Sequence, residues 1–202
     1  MTDTVLDLIN IRQPLRALMY EKLVWKHLLG RGLKSSFAGD AADIRAFSYH
    51  TSGNIQTILG VIGFLVIVEG IAIDFFVATK STKAAIILGI VHLAMLIYAI
   101  ALVRASNQRP VYVSEDGILV RVSLLYCCWI PKDAIDHVVA LDKEVDRVTS
   151  SDVLWCAIGD QPNVLIELNS PQIAVLPFGI IRRPKQLFLY IDSPADFVCA
   201  VG

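Results

Sequence analysis

The chain has 202 residues and a formal net charge of −1, with 55 % apolar and 18 % charged side chains. That length accommodates one or two domains. The near-neutral balance excludes the strongly basic face of a nucleic-acid binder, so no nucleic-acid partner is expected.

The first residues, Met1-Thr2-Asp3-Thr4-Val5-Leu6-Asp7, hold neither a basic n-region nor an apolar h-region, so a cleaved signal peptide is not expected. Residues 1–54 read as a cytoplasmic region of helix and loop. Pro14 suits the first turn of a helix running to Leu29, with Gly30 and Gly32 to stop it. Its apolar residues form no single stripe, so the moment of a helix lying in a lipid interface is missing. Residues 35–54 read as loop or short helix leading into the first of two long apolar runs.

Those runs, at about residues 58–77 and 84–103, each match the ~20 residues a bilayer-crossing helix needs. Together they make residues 55–104 a predicted transmembrane hairpin, joined by Thr79-Lys80-Ser81-Thr82-Lys83. The first run carries Glu69 and Asp74, and the second carries His92. Apolar residues of the first run favour insertion by roughly 4 to 8 kcal/mol, and two central acids would take back about 5 to 7. That span is marginal alone, so the two are expected to insert together.

Glu69 lies eleven residues before Lys80, and His92 lies eleven after Ser81. With equal rise on antiparallel helices, Glu69 and His92 are expected at one depth and in contact. Ala85, Gly89, His92 and Ala99 share a helical face that admits a close neighbour, with Gly63 and Gly70 opposite. Asp74, about 7 Å nearer the connector, is expected to reach headgroups or Lys80 and Lys83. Ionisable groups at such depth mark function by default. A structural clasp, a proton- or ion-handling site and pairing between chains all remain open for them. Arg45, Arg104, Arg109 and Arg121 outweigh the two connector lysines, so both termini are expected in the cytoplasm of a multi-pass cell-membrane protein.

From residue 110 to 202 the pattern turns to short β-rich segments. Val111–Val113 and Ile118–Val122 flank an Asp-Gly turn, a hairpin signal. Further strands are predicted at Leu124–Ile130, Ile135–Leu141, Val153–Ile158, Val164–Leu168, Ile173–Leu176 and Leu187–Ile191. Asp192 or Ser193 can cap a closing helix whose first turn holds Pro194. Cys127, Cys128, Cys156 and Cys199 form no C-x-x-C pair, and they read as buried or half-buried free thiols. Asp136 and His137 are expected on opposite faces of a strand. No nucleophile elbow, phosphate loop or H-E-x-x-H helix occurs, so no catalytic, cofactor or metal-binding residue is assigned.

Three segments carry a resemblance: Val113-Ser114-Glu115-Asp116-Gly117-Ile118, Trp129-Ile130-Pro131-Lys132-Asp133-Ala134-Ile135 and Leu189-Tyr190-Ile191-Asp192-Ser193-Pro194-Ala195-Asp196-Phe197. They are similar to the opening hairpin, a strand exit and the last strand of bacterial PH-like domains, which often follow two transmembrane helices. The resemblance implies an α+β membrane protein: a two-helix hairpin, then a PH-like small β-barrel or sandwich with a short C-terminal helix. It implies no catalytic residues. Arg182, Arg183 and Lys185, predicted in a loop, are candidate contacts for anionic lipid headgroups at about 1 kcal/mol per charge, or else a solvated turn. The expected function is a non-enzymatic membrane protein presenting a cytoplasmic interaction or assembly domain. Its partners would be the bilayer and a second copy or another membrane protein. The alternatives are a small membrane subunit handling protons or ions through Glu69, His92 and Asp74, or a membrane enzyme using them.

Overall fold

The computed structural model describes residues 44–148 and 150–202. The predicted helix over residues 14–29 lies outside the described residues. Helix α1 spans Ile55–Ala78 and α2 spans Thr82–Gln108. Both are long and apolar enough to cross a membrane, and their apolar stretches are only 6 % and 17 % buried. Neither is therefore the core helix of a compact body. The connector shrinks to Thr79-Lys80-Ser81, because Ser81 caps α2 by accepting from the Ala84 N–H. Thr79 Oγ1 donates to the Phe76 carbonyl, closing α1.

The strands form two separate sheets, and no barrel closes. Six strands lie in the order β1-β2-β3-β4-β8-β9: β1 (Arg45–Phe47), β2 (Val111–Ser114), β3 (Gly117–Val122), β4 (Tyr126–Pro131), β8 (Ala174–Val175) and β9 (Ile181–Arg182). Four more lie in the order β5-β7-β10-β6: β5 (Ile135–Ala140), β7 (Val164–Leu168), β10 (Gln186–Leu189) and β6 (Val153–Trp155). All pairings are antiparallel except β6 with β10. The closing helix α3 is Pro194–Val201. Both sheets contribute to one apolar core, including Val113, Ile118, Val120, Ile166, Leu187 and Phe197. In β7 the alternation is plain: Val164, Ile166 and Leu168 are buried, while Leu165 and Glu167 are half-buried. In the β2–β3 turn, Gly117 has a φ of +148°. A Cβ there would run into the Ile130 carbonyl, so β4 can approach only a glycine.

Two strands depart from expectation. Residues 45–47, read as loop or short helix, form β1 and pair with β2 in register Arg45↔Val113 and Phe47↔Val111. Arg182, predicted in a loop, belongs to β9. The hairpin is therefore an insertion between two hydrogen-bonded neighbours of one sheet, and not a segment placed ahead of the domain.

Both ends of that insertion are fastened. On the lead-in to α1, Asp192 accepts from the Thr51 and Ser52 N–H groups and from Ser52 Oγ. Asp160 accepts from the Asn54 N–H and Nδ2. On the exit from α2, Ser123 is buried with a φ of +52° in the β3–β4 turn. Its hydroxyl donates to the Leu102 carbonyl at 2.8 Å, and its N–H to Tyr49 Oη at 2.6 Å. Its carbonyl accepts from Arg109 Nη1 at 2.8 Å. Burial pushes the Tyr49 phenol up to about 12. It also lowers Arg121, as does the neighbouring Arg109 charge, and Arg121 lies over the Tyr112 ring.

Tyr49→Phe strips the buried Ser123 N–H of its acceptor and is expected to cost about 1–3 kcal/mol, read from the unfolding midpoint of the purified protein. An unchanged midpoint would remove this bond from the junction. For Asp192, burial raises the carboxyl, but hydrogen bonds from Ser48, Ser52 and Thr51 outweigh it and hold the group well below the usual range. Its contribution is thus complete above the unfolded value of about 3.9 and is lost as pH falls through the lower folded value. Asp192→Asn should flatten that acid-side loss while leaving the slope near neutrality unchanged, as measured by unfolding at stepped pH.

Candidate functional site

Glu69 and Asp74 on α1 and His92 on α2 lie well inside the two apolar runs, and the structure distributes them differently from the depth arithmetic. His92 Nδ1 meets the Asp74 carboxylate, 3.3 Å from each oxygen. The expected Glu69–His92 contact is not formed, and Asp74 turns to His92 instead of to headgroups or the connector lysines. Side-chain direction accounts for the change. A Cα–Cβ bond leans toward its helix N-terminus. Asp74 therefore leans away from the connector on α1, while His92 leans toward it on α2. Groups at unequal backbone depth close on each other.

Glycines on both helices make the room. A Cβ on Gly70 would stand 3.1 Å from the His92 ring, and one on Gly89 would stand 3.4 Å from Asp74 Oδ2. Gly70 and Asp74 are four apart on α1, and Gly89 and His92 are three apart on α2, so each pair shares a face. Each helix thus offers one polar side chain and one gap. Gly63, expected to help, has nothing within 4 Å of its Cβ direction. Glu69, one residue and about 100° of helical turn before Gly70, lies exposed on the outer surface.

The soluble part offers weaker constellations. A register shift between Ile135 and His137 leaves Asp136 and His137 both exposed, where opposite faces were expected. Both line a cleft of about 310 Å³ beside Val198 and Val201 of α3. A second cleft, of about 510 Å³, brings Lys185 together with Asp136, Asp152 and Glu167. Arg182, Arg183 and Lys185 are all exposed. Cys127 is half-buried and Cys128 buried, as adjacent strand residues should be, but Cys199 is exposed. Burial pushes the Cys128 and Cys156 thiols well up, so neither is a thiolate nucleophile near neutral pH. Among the described residues no three His, Cys, Asp or Glu side chains gather in a metal-holding group.

No protein family, curated protein or solved structure matches this chain.

A double-mutant cycle checks the pairing. Asp74→Leu and His92→Leu are expected to couple by roughly 0.6 to 1.7 kcal/mol in micelles, the range for polar pairs between membrane helices. Glu69→Gln with His92→Leu should add within about 0.5 kcal/mol. The opposite pattern would restore the Glu69–His92 contact. Gly70→Leu, by filling the gap for the His92 ring, should weaken the hairpin more than Gly63→Leu.

Proposed function

We propose that this chain is a non-enzymatic, multi-pass membrane protein that assembles with a second copy of itself through the outer face of α1 and presents its sheet domain, PH-like by resemblance, as a cytoplasmic interaction module. The carrying observation is Glu69. Asp74 and His92 pair with each other within the hairpin, whereas Glu69 stays exposed at spanning depth among apolar neighbours. A central carboxylate facing hydrocarbon costs about 2.5–3.5 kcal/mol, which a partner can offset.

A second copy inserted in the same orientation brings its own Glu69 to the same depth. Ile62, Glu69 and Phe76 recur at seven-residue steps with Leu65 and Ile73 between them, and all five are exposed. That is a heptad-like seam with one polar position, the kind that fixes register and oligomer number. A hydrogen bond between two Glu69 carboxyls, at least one of them carrying its proton, would complete it. Because β1 and β2 bracket the hairpin, both of its ends belong on one side. Arg45, Arg104, Arg109 and Arg121 against Lys80 and Lys83 favour the cytoplasm for that side.

Cysteine cross-linking in native membranes tests the seam, with Cys199→Ser to remove the exposed thiol. Ile62→Cys and Phe76→Cys are expected to link copies, whereas Ile71→Cys on the opposite face is not. Glu69→Leu should reduce the dimer several-fold and Glu69→Gln should retain it. A chain that stays monomeric throughout, or links equally at all three positions, would overturn the proposal.

One observation favours a second reading, in which the Asp74–His92 pair relays protons or binds an ion: two ionisable groups meet at spanning depth, where such groups are commonly functional. His92→Leu would then alter proton or cation flux into proteoliposomes. The enzyme reading, which wants all three residues together, has less support because Glu69 faces away.

A further inference from the structure

Strand register tells which end of the six-stranded sheet faces the hairpin. Strand β2 leaves α2 at Val111, so β3 returns toward the hairpin at Val122 and β4 departs from it at Tyr126. Strand β8 runs antiparallel to β4, with Cys128↔Ala174 and Cys127↔Val175. Its exit at Leu176 therefore lies at the hairpin end, beside the β3–β4 turn whose Ser123 is bonded to α2. The turn from β8 to β9, Leu176-Pro177-Phe178-Gly179-Ile180, sits at that same end.

The turn is unusual in what it shows to solvent. Phe178 is 63 % exposed and Ile180 is 50 % exposed, although both belong to a domain with a well-filled core. Phe178 also holds a left-handed backbone, with a φ of +59°, a costly conformation for a bulky residue. Half-buried Leu125 ends the β3–β4 turn and half-buried Tyr126 begins β4. Arg182 stands on β9 opposite Ala174, two residues past Ile180. Arg183 and Lys185 follow β9 as it runs away from the hairpin. An apolar tip backed by a tyrosine and arginines is the composition of a membrane–water interface.

We propose that the β8–β9 turn is a bilayer-dipping tip: Phe178 and Ile180 enter the interfacial region of the same membrane the hairpin crosses, with Arg182 at headgroup level. The occupant is the lipid surface around the protein's own hairpin, so the inference rests on the membrane-spanning reading. The tip and the hairpin together would hold the domain at a fixed tilt, which a flexible linker would not.

Probe depth tests it in the full chain, reconstituted in phosphatidylcholine vesicles with a fraction of phosphatidylglycerol. With Cys127→Ser and Cys199→Ser, a thiol-reactive fluorophore is placed singly at Phe178→Cys, Ile180→Cys, Phe75→Cys on the exposed Ile71 side of α1, and Glu115→Cys at the far end of the sheet. The expected result is several-fold stronger quenching at 178, 180 and 75 by a nitroxide on the lipid acyl chain than by aqueous iodide, and the reverse at 115. If 178 and 180 follow 115 while 75 stays lipid-quenched, the tip is refuted and the spanning hairpin stands. If 75 also follows 115, the spanning reading fails and takes the tip with it. The separate probe at 180 guards against a local disturbance from replacing Phe178.

Discussion

The pairing of β1 with β2 is the constraint on which the rest of this structure depends. Two residues joined across that ladder, Phe47 and Val111, are separated in the chain by the whole helical hairpin. Closing so long a loop is costly in chain entropy, and the two fastenings described above offset that cost. Asp192 and Asp160 gather the backbone N–H groups of the lead-in, while Ser123 at the exit donates to Tyr49 and Leu102 and accepts from Arg109. The Ser123 fastening also satisfies groups that would otherwise be buried without partners, whereas the lead-in bonds lie exposed. The helices accordingly begin and end within the domain: Ile55 and Leu59 on α1 and Ala101, Leu102 and Ala105 on α2 join its core. From Gly60 to Ala78 the remaining length of α1 rises about 28 Å, close to one hydrocarbon thickness.

Within the hairpin the same economy appears at smaller scale. A histidine and an aspartate are matched with a glycine on the facing helix, so polar contact and close backbone approach occur at one crossing. Small residues at such a crossing are what let membrane helices approach and bond. The arrangement uses two of the three ionisable groups and leaves the third outside, which separates what holds the hairpin together from what it can offer a neighbour.

Much of this was legible in the chain. The helices, the β2–β3 turn, β7 and the Pro194 helix each carry a local signal: an apolar run, an Asp-Gly, an alternation, a proline suited to a first turn. The cap expected from Asp192 or Ser193 is not made, because Asp192 binds Thr51 and Ser52 instead. The failures share a cause. Strand β1 has three residues, Arg45, Ala46 and Phe47, with no period to detect, and it exists only because β2 lies beside it. Arg182 is in a strand for the same reason. Equal residue counts along two axes put Glu69 level with His92, but side chains lean along each helix and about 100° separates Glu69 from the contact face. Gly70 and Gly89 were visible as small residues, but which polar group each would receive depends on the crossing geometry. The left-handed backbone at Ser123 and Phe178 had no signal at all, since neither residue type prefers it.

The interruption of a sheet by a long helical hairpin sets an order of events during synthesis. Strand β1 emerges first, but its partner follows only after both helices have been made. Until then three residues carry unpaired N–H and C=O groups at what will become a sheet edge. Their brevity and the charge on Arg45 keep that edge from recruiting another chain. The sheet cannot complete itself before the hairpin folds back, so its first ladder records that α1 and α2 have reached their final arrangement. Folding of the sheet domain is in this way conditional on the hairpin, and a domain expressed from residue 110 onward would lack its edge strand.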